Sequence, residues 1–163
     1  VPGDRQKEGL FLNHNVFTNL IYPQVALKKQ KFLLPLKELH QAVTTTIQTI
    51  SLIPPDPRKL VSHLSGGNQQ KVVIGKWLSL SPKILLLNDP TKGVDVETRR
   101  NLYKIIADLS NQGVSVLLYA SDNEELIANC DRVLIVFEGQ IVEEICGEGI
   151  CEENLIACSL RVQ

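Results

Sequence analysis

The sequence lacks several features that mark whole classes of protein. Its 163 residues carry 17 Lys and Arg against 18 Asp and Glu, so no basic excess is present to drive nucleic-acid binding by counterion release. Its longest apolar runs, residues 84–87 and 133–137, are far shorter than the ~20 residues of a membrane-spanning helix. No signal-peptide pattern precedes them. These absences predict a soluble, cytosolic domain with no nucleic-acid partner.

Cysteine is scarce and methionine is absent. The four cysteines are too few for a disulfide scaffold, and none belongs to a Cys-x-x-Cys pair. One interpretation is a metal site at Cys146, Cys151 and Cys158, although no histidine lies near them in sequence. The other is that they are ordinary thiols, which are small and often buried. Because the sequence has no methionine and begins at Val1, we expect it to be part of a longer chain.

The pattern of apolar residues differs between three parts of the sequence. Residues 1–15 are polar and contain glycine, which predicts a loop. In residues 16–62, apolar side chains recur at three- and four-residue steps, as in helices, and Pro54, Pro55 and Pro57 close the segment. In residues 63–163, predicted helices alternate with short aliphatic runs. We therefore predict a small helical lobe followed by a mixed core.

The aliphatic runs of the last part show no polar alternation, which predicts strands covered on both faces. Strands are predicted at residues 83–87, 114–119, 132–137 and 140–144. Helices are predicted after Ser65, after Asp95 and from residue 123. Helices that alternate with buried strands indicate an α/β fold with a mainly parallel sheet.

A group of chemically informative residues lies at positions 64–71, with the sequence LSGGNQQK. A hydroxyl and two glycines at the opening of a helix build an anion site, because the free N–H groups and the helix dipole both point outward there. Gly66 and Gly67 lack the Cβ atoms that would hold a phosphate away. Ser65 adds a hydroxyl donor, and Gln69 adds an amide one turn further on. The alternative is a helix cap that is followed by glycines without any ligand.

A second polar group follows the predicted strand at residues 83–87. The aliphatic run ends in Asn88 and Asp89, which places an amide and a carboxylate at the carboxyl end of a buried strand. Ligands bind at that end of the strands in open α/β sheets. Asp95 follows as the candidate cap of the next helix.

These motifs, LSGGNQQK at 64–71, NDPT at 88–91 and KGVD at 92–95, resemble those of the ATP-binding cassette (ABC) ATPases. More narrowly, VPGDR at 1–5, EGL at 8–10 and the NQQK continuation resemble the second cassette of bacterial sugar-import ATPases of the ribose, galactose and xylose type. In those proteins, two cassettes lie in one polypeptide. The resemblance covers nearly the whole chain and implies part of a P-loop NTPase core with a helical subdomain.

The resemblance also implies a role for each segment. Residues 1–15 would be the Q-loop region, which contacts the membrane subunit, and residues 16–62 the helical subdomain, with 28–57 docking on that subunit. Residues 63–163 would hold the signature helix and the C-terminal part of the ATPase core. The implied partners are an opposing cassette and a transmembrane permease subunit. The implied location is the cytoplasmic face of the cell membrane.

Site residues follow from the same resemblance. Ser65, Gly66 and Gly67 would be the signature residues, which contact the γ-phosphate of an ATP held by the opposing cassette. Asp95 would be the D-loop aspartate that couples the two sites. Gly3 falls where most cassettes carry Gln and this group carries Glu. Ser121 lies at the switch position, where many cassettes have His. The implied cofactors are ATP and Mg²⁺.

The chain departs from the family first in what it does not contain. The phosphate-binding motif G-x-x-x-x-G-K-[ST] (Walker A) occurs nowhere in the 163 residues. In the family, the Walker A motif precedes the position that corresponds to Val1. We therefore expect this chain to be the C-terminal two-thirds of a cassette. ATP and Mg²⁺ are then expected only together with the missing segment or a partner cassette. We also expect an uncovered sheet edge or apolar face to favour self-association.

The second departure concerns the end of the strand at 84–87, where the family has Asp-Glu and this chain has Asn88-Asp89. Asn88 removes one negative charge that would face Mg²⁺. Asp89 keeps a carboxylate but draws the catalytic base back by ~1 Å, and such a misplacement costs ~10²-fold in rate. Two functions stay open: a fragment of an ATP-hydrolysing importer subunit, or a non-hydrolysing module that completes a partner's site.

Overall fold

The computed structural model describes residues 1–27 and 36–161, the side chain of residue 161 excepted. The chain divides into two compact units, Val1–Leu117 and Leu118–Gln163. This boundary does not coincide with the predicted divisions after residues 15 and 62, which stay a prediction.

The first unit is built from helices around a short sheet. Its elements are α1 (Val16–Leu27), α2 (Leu36–Thr49), α3 (Gly66–Leu78), β1 (Ile84–Asn88), α4 (Val96–Asn111) and the beginning of β2 (Ser115–Tyr119). β1 and β2 are neighbours in a two-stranded parallel sheet, and α4 connects them. The predicted α/β class is therefore confirmed.

The N-terminal segment is not the plain loop that the sequence predicts. Residues Arg5–Gly9 form one π-helical turn. Asp4 starts this turn, because its Oδ1 accepts hydrogen bonds from the amides of Gln6 and Lys7, both at 3.1 Å. Polar residues with a capping aspartate can thus form a helical turn too short to show an apolar period.

The core of the first unit lies where α1 and α2 pack on α3. Twelve buried side chains form it: Leu10, Val16, Leu20, Val43, Ile47, Ile50, Leu52, Val61, Leu64, Val72, Val73 and Ile105. Gly75 lets α3 approach α2 closely, since a Cβ there would lie 3.0 Å from Ile50 Cδ1 and 3.1 Å from Thr46 Cγ2. This close approach packs the second half of α3 against the end of α2.

The prediction that the strands of this unit are covered on both faces is wrong. In β1, Leu85 and Leu87 are buried, whereas Ile84 and Leu86 are 64% and 57% exposed. Leu117 of β2 is 60% exposed. An unbroken aliphatic run shows that both faces are apolar, but it does not show that both are covered within this unit. The predicted self-association of this apolar face stays a prediction.

The second unit contains α5 (Asn123–Asn129), β3 (Arg132–Phe137), β4 (Gln140–Cys146) and α6 (Glu152–Arg161). β3 and β4 form an antiparallel hairpin, whose two turn residues, Glu138 and Gly139, both have positive φ, at 47° and 78°, as a tight hairpin turn requires. Its core consists of Val133, Ile145, Ile150, Leu155 and Cys158. The sequence did not predict α6.

The described residues include neither a disulfide bond nor a cluster of metal ligands. Within residues 1–27 and 36–161, all four cysteines are free thiols, and no group of three or more His, Cys, Asp or Glu side chains is arranged to hold a metal ion. Over the same residues, every helix is too short or too polar to cross a bilayer.

Candidate functional site

The start of α3 is open to solvent on one side. Ser65 is the N-cap, with an exposed side chain, while Gly66 is half-buried and Gly67 is buried. Within the described part of the chain, the amide N–H groups of Gly66 and Gly67 donate to no acceptor. Two N–H donors at the positive end of a helix are thus available to an anion.

The hydroxyl of Ser65 adds a third donor. Its Oγ accepts from Asn68 Nδ2 at 3.0 Å and more weakly from the Asn68 amide at 3.4 Å. A hydroxyl oxygen has two acceptor positions and one O–H. Because the acceptor positions are used by Asn68, the O–H of Ser65 is left to donate outward.

The two glycines serve packing as well as access. A Cβ at Gly67 would lie 2.5 Å from Thr98 Oγ1 and 2.7 Å from Thr98 Cγ2, and a Cβ at Gly66 would lie 2.8 Å from Arg5 Nη2. Gly67 therefore lets α3 approach the first turn of α4. Gly66 makes room for a guanidinium that sequence reasoning did not consider.

Gln69 does not reach the helix opening. Its side chain is only 6% exposed, and its Nε2 donates to the carbonyl oxygens of Val61, at 3.1 Å, and Leu64, at 3.4 Å. These bonds hold the short 3-10 turn at Val61–His63, which leads into α3. Because its amide hydrogens bond to these two carbonyl groups, the side chain of Gln69 does not offer a donor at the start of α3.

Asp95 begins α4 a short distance from α3. Its Oδ1 accepts from the Thr98 amide at 2.9 Å, and its Oδ2 accepts from the Thr98 hydroxyl at 2.8 Å. These hydrogen bonds to the carboxylate lower the pKa of Asp95. Thr98 touches the Gly67 position and Asp95 at once, so the predicted signature and D-loop residues lie side by side.

Gly3 and Asn88 are also brought together. The N-terminal amine of Val1 donates to the carbonyl of Leu86 at 2.7 Å, and the amide of Asn88 donates to the carbonyl of Val1 at 3.1 Å. The first residues therefore lie along β1. As a result, a Cβ at Gly3 would lie 3.4 Å from Asn88 Nδ2.

Asp89 follows β1 in a left-handed conformation, with φ at 42°. This region is uncommon for residues other than glycine, although Asp tolerates it better than most. Its carbonyl accepts from the amide of Lys92 at 3.1 Å, so Asp89 starts the turn that leads to Asp95. The strand end supplies one carboxylate and one neutral amide oxygen, which fits at most two ligands of a Mg²⁺ that phosphates and water otherwise coordinate.

Ser121 lies in the second unit and is described with it. It is exposed and lines a shallow cavity together with Asp122, Asn123, Glu124, Ile127 and Glu152. Asp122 caps α5 there, since its Oδ1 accepts from the Glu124 amide at 3.0 Å. The role of Ser121 as a switch residue stays a prediction.

Three residues near the site were missed by sequence reasoning. Arg5 donates from Nη1 to the carbonyl of Lys92 at 2.8 Å, and Thr98 completes the cap of α4. The ammonium group of Lys71 donates to the carbonyl of Ser51 at 2.9 Å. Burial lowers the pKa of Lys71, partly offset by the negative charges of Asp95 and Glu97. The position of Thr98, three residues after a capping aspartate, was the available signal for it.

Comparison with known proteins gives a consistent result. Residues 5–92, more than half of the chain, match the family described as ABC transporter. The chain is 38% identical over 162 residues to the ribose import ATP-binding protein RbsA 1 of Mesorhizobium japonicum, covering 99% of this chain and 32% of that protein. It is 35% identical over 156 residues to the ribose import ATP-binding protein RbsA of Bacillus subtilis, covering 96% and 32%. The chain thus spans about a third of the length of the curated relatives it matches.

Solved structures are similar in fold. An ATP-binding cassette of an ABC transporter in its ADP conformation superposes with a TM-score of 0.75 at 19% identity, covering 92% of this chain and 62% of that chain. The cbiO1 protein of Clostridium perfringens, part of an ABC transporter complex, gives a TM-score of 0.74 at 22% identity, covering 98% and 62%. The fold is therefore that of the ABC ATPase cassettes, as predicted.

Proposed function

Because this chain belongs to the ABC transporter family, we propose that it supplies the signature turn and the D-loop to an ATP site shared with a second cassette. The observation that supports this most strongly is the start of α3, where two N–H groups that have no acceptor among the described residues lie next to the exposed side chain of Ser65. The names of the relatives indicate sugar import, with ribose as the transported sugar of those proteins.

The role of the α3 start is electrostatic. When bound, ATP supplies the phosphoanhydride that is cleaved. The amides of Gly66 and Gly67 and the hydroxyl of Ser65 would donate hydrogen bonds to the oxygens of its terminal phosphoryl group. In phosphoryl transfer the protein mainly positions groups and stabilises charge. Donors that are already fixed by α3 do this without reorganising.

The partners of the proposal are a cassette that carries its own phosphate-binding loop and a transmembrane permease. Asp95 would face the second cassette, and Gly3 and Asn88 would lie near the Mg²⁺ that ATP brings. The chain would then act on the cytoplasmic side of a membrane. The structure describes only part of the proposed docking segment, residues 28–57, since residues 28–35 lie outside the described residues.

A second candidate function is a module that completes a partner's site without hydrolysing ATP. Asn88 supports it, because a neutral amide replaces the carboxylate that the resemblance implies for Mg²⁺. The short side chain of Asp89, on a left-handed backbone, also departs from the implied Glu. The α3 start would work equally well in this module, so the difference between the candidates lies only at the end of β1.

A chimera tests the proposal. The matched 156-residue region of the Bacillus subtilis relative is replaced by this chain, and ATP turnover is measured. We expect Ser65→Ala to lower turnover about 10-fold or more, less than the ~10²–10³-fold that loss of one oxyanion-hole donor costs, because the amides of Gly66 and Gly67 remain. The matched control, Ser62→Ala, removes the hydroxyl of an exposed serine three residues earlier and is expected to leave turnover unchanged.

The same chimera separates the two candidates. The Glu that ends the corresponding strand of the partner cassette is first replaced by Gln, so that turnover reports only the site at the end of β1. Turnover in this background with Asn88 and Asp89 in place supports the hydrolysing subunit. Turnover that rises at least about 10-fold only in the double variant Asn88→Asp, Asp89→Glu supports the non-hydrolysing module. If Ser65→Ala and Ser62→Ala behave alike in both backgrounds, the proposed role of the α3 start is wrong.

A further inference from the structure

We propose that Arg5 is a positioning residue, which holds the turn between Thr91 and Val94 against the start of α3. The signature amides and Asp95 then face a partner as one fixed surface. The inference deepens the proposed function and rests on it, but the contacts that carry it lie within the first unit.

The guanidinium of Arg5 lies between two loops that are far apart in sequence. Its Nη1 donates to the carbonyl of Lys92 at 2.8 Å, and its Nη2 donates to the carbonyl of Gly93 at 3.4 Å. The same Nη2 would be 2.8 Å from a Cβ at Gly66. A single side chain thus contacts the turn between Thr91 and Val94, here called the D-loop turn, and the first residue of α3.

Glycines permit this arrangement on both sides. Gly93 has φ at +68°, and a Cβ there would lie 3.6 Å from Arg5 Nη1, while the carbonyl of Gly93 lies 3.6 Å from the Cβ position of Gly66. The left-handed backbone of Gly93 favours glycine on its own account. The absence of a side chain at Gly66 lets the guanidinium take this position, since a Cβ there would displace Arg5 Nη2.

The charge of Arg5 is not explained by an ion pair. Among the described residues, no carboxylate lies within salt-bridge distance of it, and its Nε is buried without an acceptor. A cation at the positive end of a helix is electrostatically unfavourable. What it gains is two carbonyl acceptors on successive residues, which suit the planar fork of an arginine and which one lysine ammonium reaches less well.

The backbone of Arg5 is itself anchored to α3. Asp4 caps the π-helical turn that begins at Arg5, and this turn ends at the buried Gly9. A Cβ at Gly9 would lie 3.0 Å from Val73 Cγ2, and the carbonyl of Gly9 accepts a hydrogen bond from Lys76 Nζ. Both ends of this π-helical turn are thus fixed. The guanidinium of Arg5 therefore holds the turn between Thr91 and Val94 in a set position relative to α3.

The first test uses the 163-residue chain and amide hydrogen exchange. In Arg5→Gln we expect the amides of Lys92 and Val94 to exchange about 10-fold faster or more, because local opening of their turn becomes easier. The amides of α2 should keep their protection. Arg5→Lys should fall between the two, and Arg58→Gln, at an arginine that pairs only with its neighbour Asp56, should resemble the wild type. Equal exchange of Lys92 and Val94 in all four proteins overturns the proposal.

The variant Gly66→Ala gives a second test, which distinguishes a positioning role of Arg5 from a merely structural one. Gly66→Ala forces Arg5 Nη2 aside, so it should raise exchange at Val94 in the wild type and have little further effect in Arg5→Gln. Additive effects in the double variant would show that the two residues act independently, which contradicts the proposal.

The chimera gives the functional readout. Arg5→Gln should lower ATP turnover, and Arg5→Lys should restore part of it. Faster exchange at Lys92 and Val94 with unchanged turnover would overturn the positioning role. If turnover is absent even with Arg5 present, the proposed function is contradicted, while the exchange results still decide whether Arg5 positions the turn.

Discussion

The helices α3 and α4 each begin with a polar residue whose side chain accepts a hydrogen bond from the amide three positions on. At α3 the cap is the neutral Ser65, and its bond to the Asn68 amide is long, at 3.4 Å. At α4 the cap is the carboxylate of Asp95, which takes both the amide and the hydroxyl of Thr98 at 2.9 and 2.8 Å. The start of α3 has a neutral cap, with the Arg5 guanidinium close to Gly66, whereas the start of α4 is capped by its own anion.

The difference shows that the identity of the cap decides what a helix start can bind. The dipole of each helix favours a negative charge at its beginning. In α4 the protein supplies that charge itself, so a phosphate would be repelled by Asp95. In α3 the cap residue supplies only a hydroxyl, and the amides of Gly66 and Gly67 stay unpaired within the described residues. Substitutions at three positions, Gly67, Asp95 and Ser65, test this difference between the two helix starts.

The largest effect is expected at Gly67, where the two helix starts touch. Gly67→Ala places a Cβ 2.5 Å from Thr98 Oγ1, so Thr98 must move and the cap of α4 is disturbed. We expect a loss of about 1–3 kcal/mol in the free energy of unfolding, typical of overpacking, measured by urea denaturation. Gly3→Ala is the matched control, because its nearest neighbour is at 3.4 Å, and it should change stability by less than about 0.5 kcal/mol.

The origin of that loss can be checked by a double-mutant cycle. Thr98→Ala removes the two closest atoms, Oγ1 and Cγ2, so Gly67→Ala should cost less in that background. An equal cost with and without the Thr98 side chain would mean that the close approach of the two helices is not what requires glycine.

A smaller effect is expected from Asp95→Asn, which removes the charge at the start of α4. The pKa of Asp95 is lowered from its usual 3.8 by the hydrogen bonds of Thr98, so its carboxylate stabilises the fold at pH above that value. This contribution is lost as the pH falls through the lowered pKa of the folded state. The difference in stability between wild type and Asp95→Asn should therefore be constant near pH 7 and shrink below about pH 4. A difference that stays constant down to pH 2 would contradict the role of the carboxylate as a cap.

The smallest change in stability is expected from Ser65→Asp, which gives α3 the kind of cap that α4 has. Asp and Ser are comparable caps, so the free energy of unfolding should change by less than about 1 kcal/mol. ATP turnover of the chimera should nevertheless fall further than it does with Ser65→Ala. The new carboxylate would bind the amides at the start of α3 and repel a phosphate. Turnover equal to that of the wild type would show that the open start is not used.

The sequence predicts local features of this site better than contacts between its parts. The caps at Ser65 and Asp95 are confirmed, because a cap depends on residues only three positions apart. The contacts of Arg5 with the D-loop turn are not visible in a single sequence, since they join residues more than 80 positions apart. The exposed face of β1, with Ile84 and Leu86, was not predicted because a run of aliphatic residues reports polarity and not coverage.

The central claim is that the α3 start accepts a terminal phosphoryl group and the α4 start does not. Inorganic tripolyphosphate, added at millimolar concentration to the ¹⁵N-labelled chain, tests it most directly. The account predicts saturable shifts of the Gly66 and Gly67 amide signals, unchanged signals for Val96 and Glu97, and no such shifts with sodium chloride at the same ionic strength. Unmoved Gly66 and Gly67 signals, or equal shifts at the start of α4, would contradict it.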